Sequence, residues 1–204
     1  MPKRPPFTKK KLRRIVGVVG EGPSEWHYAT DMNRVEEISI SLRPVLPKHS
    51  DYQEIFRKAK QLVREGYEEV YCLIDMDTIK GSTAGERTYQ TNKNKLLKNA
   101  KITVIETHPC LEFWYLLHFK PYSAKTYTNC HEVIRELKKY IPDYEKSNDY
   151  LKKKRIYKFL GERGDARLAR ESAVRLRETK LQNDLTPNLP YTEIDLFIER
   201  LTVA

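Results

Sequence analysis

Val70-Tyr71-Cys72-Leu73-Ile74-Asp75-Met76-Asp77 is an unbroken apolar run that stops at two acids spaced i and i+2. A run without polar alternation reads as a strand buried on both faces, the kind found inside a parallel sheet. Upstream, Ile15-Val16-Gly17-Val18-Val19 has the same character and ends at the tight turn Gly20-Glu21-Gly22-Pro23-Ser24. Pro23 is placed to open a helix running to about Glu37. Between these runs, residues 38–46 alternate apolar and polar, which predicts a second strand ended by Pro47. Asp51 can cap a helix whose apolar face is Ile55, Ala59, Leu62 and Val63, with Gly66 as its stop. Residues 78–85 read as loop, 86–99 as helix and 102–105 as a fourth strand. Alternating strands and helices specify a parallel sheet covered by helices, with the carboxyl ends of its strands along one edge.

From Pro109 onward the pattern turns helical. Leu111, Phe113, Trp114, Leu116, Leu117 and Phe119 predict a dense apolar helix packed on the sheet. Further helices are expected over 131–140, 147–160, 163–181 and 191–202, punctuated by Pro121, Pro142, Pro187 and Pro190. The expected organisation is a basic flexible arm over 1–12, an α/β core over 13–120 and a helical region over 121–204 packed on that core.

Hydrophobic residues make up 39% and charged residues 32% of the 204, as in a globular protein with a charged surface. A net charge of +10 favours polyanionic partners, nucleic acid first among them. Cys72, Cys110 and Cys130 are odd in number and widely spaced, so they draw no disulfide framework or zinc pattern and suggest a reducing compartment. The apolar run 15–19 is too short for a signal segment or a membrane span. A cytoplasmic protein without a membrane partner is expected. Gly17, Gly20 and Gly22 make no dinucleotide fingerprint, and no Walker A sequence is present, so no nucleotide cofactor is expected on this chain.

The chemistry points to the strand ends. Glu21 follows one buried strand, and Asp75 and Asp77 end another. Ligand sites in open parallel sheets form beyond these ends. Three converging carboxylates repel one another and hold a proton tightly unless a divalent cation intervenes, and hard oxygen donors suit Mg2+. Strand residues i and i+2 point to one side, about 6 to 7 Å apart, so a slight bend brings both acids to one ion. Glu21 then shares the metal or acts as general base. The alternative for Asp75 and Asp77 is a turn or cap role.

Glu21-Gly22-Pro23-Ser24-Glu25, Ile74-Asp75-Met76-Asp77 and the string from His108-Pro109-Cys110-Leu111-Glu112-Phe113-Trp114 to Leu116-Leu117-His118-Phe119 together resemble the RloB-like family. The resemblance covers roughly residues 13–120, and Leu189-Pro190-Tyr191-Thr192-Glu193-Ile194 is similar to the family's closing helix. It implies a Toprim-like, Rossmann-like fold, here with an α-helical extension at the carboxyl end. It also implies a metal site made of one Glu and an Asp-x-Asp pair, falling on Glu21, Asp75 and Asp77. Toprim proteins break or rejoin phosphodiesters in DNA or RNA with Mg2+ (Mn2+ being the usual substitute). RloB-like proteins typically lie in bacterial restriction and phage-defence loci, often beside an ABC-type ATPase partner. Pro23 and His108 depart from the family pattern, which prefers a charged residue and Asn at those places.

Around the acids, Glu25 reads as a helix-dipole partner or a fourth group in the pocket, and Glu112 as a dipole partner or a group orienting the metal acids. His108 reads as a satisfied loop histidine or a phosphate contact, His118 as a core residue, and Cys110 as a thiol buried against the sheet. Trp114 and Tyr115 read as packing. Lys120 and Lys125 are placed to neutralise a phosphate. The basic face Arg163, Arg167, Arg170, Arg177 and the run Lys152-Lys153-Lys154-Arg155 read as solvated surface or as a phosphate track. The leading expectation is a Mg2+-dependent nuclease. Its alternatives are a non-catalytic nucleic-acid-binding or regulatory subunit of a defence complex and, further off, an aspartyl-phosphate phosphatase. The last would want Thr where Ile79 stands.

Overall fold

The computed structural model describes residues 14–37, 41–46, 51–121, 125–182 and 189–202. The arm over 1–12, Pro47, Pro187 and the start of the second predicted strand lie outside them. Five strands form one sheet among these residues: β1 (Ile15–Val19), β2 (Ser41–Val45), β3 (Glu69–Asp75), β4 (Ile102–His108) and β5 (Tyr191–Thr192), ordered β2-β1-β3-β4-β5. The first four are parallel and β5 is antiparallel to β4. The crossover helices are α1 (Pro23–Val35), α2 (Tyr52–Arg64) and α3 (Thr83–Leu96).

Period-two alternation sorts each strand between two apolar clusters. Val70, Cys72 and Ile74 of β3 face α2 and α3, packing with Ile55, Ala59, Leu62 and Tyr89. Tyr71 and Leu73 face the other side, with Tyr28 and Met32 of α1 and Trp114 of α4 (Glu112–Leu117). Asp75 has the parity of Tyr71 and Leu73, so its carboxyl points to the α1 and α4 side. Asp51 caps α2 as expected, accepting from the Gln53 and Glu54 amides at 2.7 and 3.0 Å. Gly66 ends it at φ 93°.

The region after residue 120 differs from expectation in two places. The helix expected over 147–160 is two, α6 (Asn148–Lys154) and α7 (Ile156–Arg163), broken at Arg155 with φ 52°. Asp31 of α1 anchors the break, accepting from the Arg155 Nε at 2.8 Å and capping the Lys158 amide at 2.9 Å. The helix expected over 191–202 begins instead as β5, followed by α9 (Ile194–Thr202). The pairs Thr107 with Thr192 and His108 with Tyr191 cover the open edge of β4. Apolar residues of α5 (Cys130–Leu137), α6, α7, α8 (Ala166–Gln182) and α9 merge with Val16, Leu73 and Trp114 in one cluster.

Candidate metal centre

Register brings Glu21 and Asp75 to one end of the sheet, with Asp77 two residues further on. Val19 pairs with Cys72, so β3 runs on to Asp75 beyond the end of β1 while the chain of β1 turns through Glu21. Glu21 Oε1 accepts the Asp75 amide at 3.2 Å. Asp75 Oδ1 accepts the Leu111 amide at 2.9 Å, fixing its rotamer toward α4. Asp77 is less buried. Its Oδ1 accepts the Thr78 amide at 2.7 Å, so the turn role holds for this residue, while its charge still raises the pKa of Glu21.

Glu25 does more than complement a helix dipole. Its Oε2 accepts the Gly22 amide at 2.8 Å, while Oε1 is buried without a hydrogen-bond partner. Gly20 is what lets it in, because a Cβ at Gly20 would collide with Glu25 Cβ. Gly20→Ala is therefore expected to displace Glu25 and cost about 1 to 3 kcal/mol of stability, read from urea unfolding. An unchanged midpoint would show that the turn yields freely.

The carboxyls hold protons far above the ordinary carboxylate range. Glu21 is pushed up to about 8, first by burial and then by Glu25. Glu25 is pushed up to about 7, by burial and by Glu112, against the pull of Lys146. Asp75 is raised well above its usual value by burial, then Glu25, then Glu21. The positive charge in this nest is Lys146, which sequence reasoning missed. Its Nζ lies 3.3 Å from Glu112 Oε2 and 3.8 Å from Asp75 Oδ2. Burial alone would lower its pKa, but Glu112, Asp75 and Glu25 more than offset that and keep it charged. Nothing local in Asp143-Tyr144-Glu145-Lys146-Ser147 marks it, since only tertiary packing carries it to the strand ends.

Glu112 sits beneath this group, fully buried. It accepts from Ser24 Oγ and Tyr144 Oη, both at 2.8 Å, and from Lys146 Nζ at 3.3 Å, with Cys130 Sγ in contact at 3.2 Å. Cys110 is buried as expected, but it is not a free thiol. It is bonded to Cys130, a pairing the odd count and wide spacing concealed because the partner arrives on α5. Among the described residues, the group whose metal-ligating atoms all lie within 4.8 Å of one another is Cys110, Glu112 and Cys130. With its sulfurs bonded to each other it offers no thiolate. Glu21, Asp75 and Asp77 with Glu25 alongside are all oxygen donors, the chemistry a hard divalent cation takes, mutually repelling and including one buried oxygen atom left unpartnered, but no three of their oxygens gather within 4.8 Å as that group does.

Lys120 and Lys125 do not join the acids. Both bond to Glu136, at 2.9 and 3.3 Å. Arg177, expected on a solvated or phosphate-tracking face, clamps Asp195 at 2.6 and 2.7 Å and accepts no such role. His108 is neither a loop residue nor satisfied. It ends β4, is 1% exposed and has both ring nitrogens unpartnered. The His108–Pro109 peptide is cis. No helix among the described residues is long and apolar enough to cross a membrane.

The family model described as RloB-like protein matches residues 16–201, taking in the carboxyl-terminal helices as well as the sheet. No curated protein and no solved structure matches the chain.

Proposed function

The chain belongs to the RloB-like protein family, and from that premise we propose that it is a Mg2+-dependent nuclease acting on DNA or RNA phosphodiesters. The observation that carries this reading is the meeting of Glu21 and Asp75 from adjacent parallel strands, beside Asp77 and the half-satisfied Glu25. Glu21, Asp75 and Asp77 would hold the cation, which supplies Lewis-acid activation of a phosphoryl oxygen and of the attacking water. Leu111, at the head of α4, orients Asp75 through its amide. Glu25 has the free buried oxygen and the raised pKa suited to taking a proton from water. Lys146, partly exposed, is placed to pair with anionic oxygens as the phosphoryl group develops charge. In the cell, the protein would work in the cytoplasm as a component of a phage-defence system, next to an ABC-type ATPase. The direct test is cleavage of labelled single-stranded and duplex DNA and RNA with Mg2+ and with chelator. Absence of metal-dependent cleavage on all four, alone and with the ATPase, would overturn the reading.

A second reading, a non-catalytic subunit, is favoured by one observation: Lys146 already places a positive charge among the acids. The two differ in their response to pH. Raised acids favour the fold while protonated, so for the metal-free chain this contribution is present at low pH and lost as pH rises through about 7 and about 8. Under the metal reading, the melting temperature in chelator falls from about pH 4.5, the unfolded value, up to about pH 8, and Mg2+ raises it back by an increment that grows with pH over that range. A Mg2+ increment that is absent or independent of pH would favour the subunit with Lys146 as its only counter-ion. The phosphatase reading finds no support, since Asp75 Oδ1 is spent on the Leu111 amide and Oδ2 faces Lys146.

A further inference from the structure

The Cys110–Cys130 bond lies beside the strand-end acids, and the chain around Cys110 is what holds those acids in place. The Pro109 carbonyl accepts the Met76 and Asp77 amides at 3.0 and 3.1 Å. The Leu111 amide donates to Asp75 Oδ1 at 2.9 Å. Glu112 holds Lys146, which stands 3.8 Å from Asp75 Oδ2. Residues 109–112 therefore form a clamp on Asp75-Met76-Asp77. The bond from Cys110 fastens that clamp to the first residue of α5.

The bond is reachable from one side. Cys110 is fully buried, whereas Cys130 is partly exposed. Lys146 Nζ lies 3.9 Å from Cys130 Sγ, and Cys130 opens α5, so an ammonium and a helix N-terminus both favour a thiolate there. Glu112 Oε2, 3.2 Å away, opposes it. Cys72 does not take part in exchange: it is fully buried in the apolar cluster on the opposite face of the sheet. α5 has its own hold on the core through Val133 and Leu137, and Glu136 bonds to Lys120, so cutting the bond frees the clamp without unfolding the helix. In the thiol-rich cytoplasm proposed above, a bond of this kind is made and broken in use.

We infer that Cys110 and Cys130 form a redox switch: oxidised, the pair locks residues 109–112 onto Asp75 and Asp77, and reduced, it lets that segment loosen. The reductant is a dithiol. One of its thiolates attacks Cys130 Sγ, forming a mixed disulfide and expelling Cys110 as a thiolate that takes up a proton. The second thiolate attacks the reductant's own sulfur in the mixed disulfide and expels Cys130, which is protonated in turn. Two electrons and two protons pass to the pair, and the dithiol leaves as a cyclic disulfide. Reduced Cys130 regains an S–H beside Glu112 Oε2, the oxygen that Lys146 occupies, and competes with the lysine for it. The consequence for cleavage rests on the nuclease reading, while the hold on the acid-bearing segment does not.

The full chain is equilibrated in chelator with either reduced dithiothreitol or oxidised glutathione, and free thiols are labelled in denaturant with N-ethylmaleimide and counted by intact mass. One label, on Cys72, is expected after oxidation and three after reduction. Reduction is expected to speed amide hydrogen exchange at Met76, Asp77 and Leu111 about tenfold. It is also expected to lower the melting temperature by about 5 to 10 °C. Cys130→Ser is expected to match the reduced chain in both buffers, and Cys72→Ser to switch like the native protein. With Mg2+ added, reduction is expected to slow cleavage about tenfold by misplacing Asp75. Three free thiols in oxidised glutathione, glutathione carried on Cys130 in place of the bond, or unchanged exchange at the three amides once the bond is cut would overturn the switch. Equal cleavage rates in the two states also overturn it and keep the nuclease reading. Faster exchange on reduction with no cleavage in either state keeps the switch and loses the nuclease reading.

Discussion

Asp75→Asn is expected to reduce Mg2+-dependent cleavage by at least about a hundredfold while leaving the metal-free protein as stable as the native chain or more so. The two effects have opposite signs for one reason. Asp75 is buried between Glu25 and Glu21, which together with burial hold its carboxyl protonated well above the usual range. An asparagine keeps the oxygen that accepts the Leu111 amide at 2.9 Å and removes an acid whose charge the metal-free fold resists. What is lost is a hard anionic donor, and with it affinity for the cation. Thermal melts in chelator and a cleavage time course with Mg2+ read the two halves separately. An Asp75→Asn protein that melts normally and still cuts at the native rate would remove this acid from the chemistry. One that loses both fold and activity would assign Asp75 to architecture.

Glu112→Leu is expected to be the most destabilising single change in the site, by about 3 to 5 kcal/mol, lowering the melting temperature on the order of 10 °C. Glu112 is 0% exposed and accepts from three donors: Ser24, Tyr144 and Lys146. Leucine would strand two buried hydroxyls and release Lys146 from the strongest of its acid partners. Glu112→Gln separates charge from hydrogen bonding, since an amide oxygen still serves Ser24 and Tyr144. Its expected cost is roughly half as large. Equal melting temperatures for Glu112→Leu and native protein would mean that the buried carboxylate contributes nothing net. This residue ties α1, α4 and the 144–146 turn together under the acids, so its loss is also expected to blunt cleavage through misplacement of Asp75.

The site was legible from sequence to the extent that it lies at strand ends. Buried runs stopping at Glu21 and at Asp75 carry their own signal, because a continuous apolar strand fixes where the chain leaves the sheet. Glu25 was legible as a position but not as an environment, since only the absence of a side chain at Gly20 reveals how deeply it is pressed in. Lys146, Tyr144 and Cys130 gave no sign, because each depends on where helices after residue 120 come to rest. Lys120 and Lys125 misled for the same reason: their nearness in sequence to α4 said nothing of Glu136, which holds both.

Local chemistry by itself determined the parallel order of strand and helix, the cap at Asp51, the stop at Gly66 and the acids at the sheet edge. These follow from backbone sterics, side-chain periodicity and burial, which act over a few residues. Tertiary structure alone decided that the chain returns as β5 to close the β4 edge, that Arg155 breaks a helix to meet Asp31, and that Lys146 balances the acids. Those outcomes depend on pairing charges and backbone groups far apart in the chain. The energy of such a pair exists only once the core has brought its members within reach.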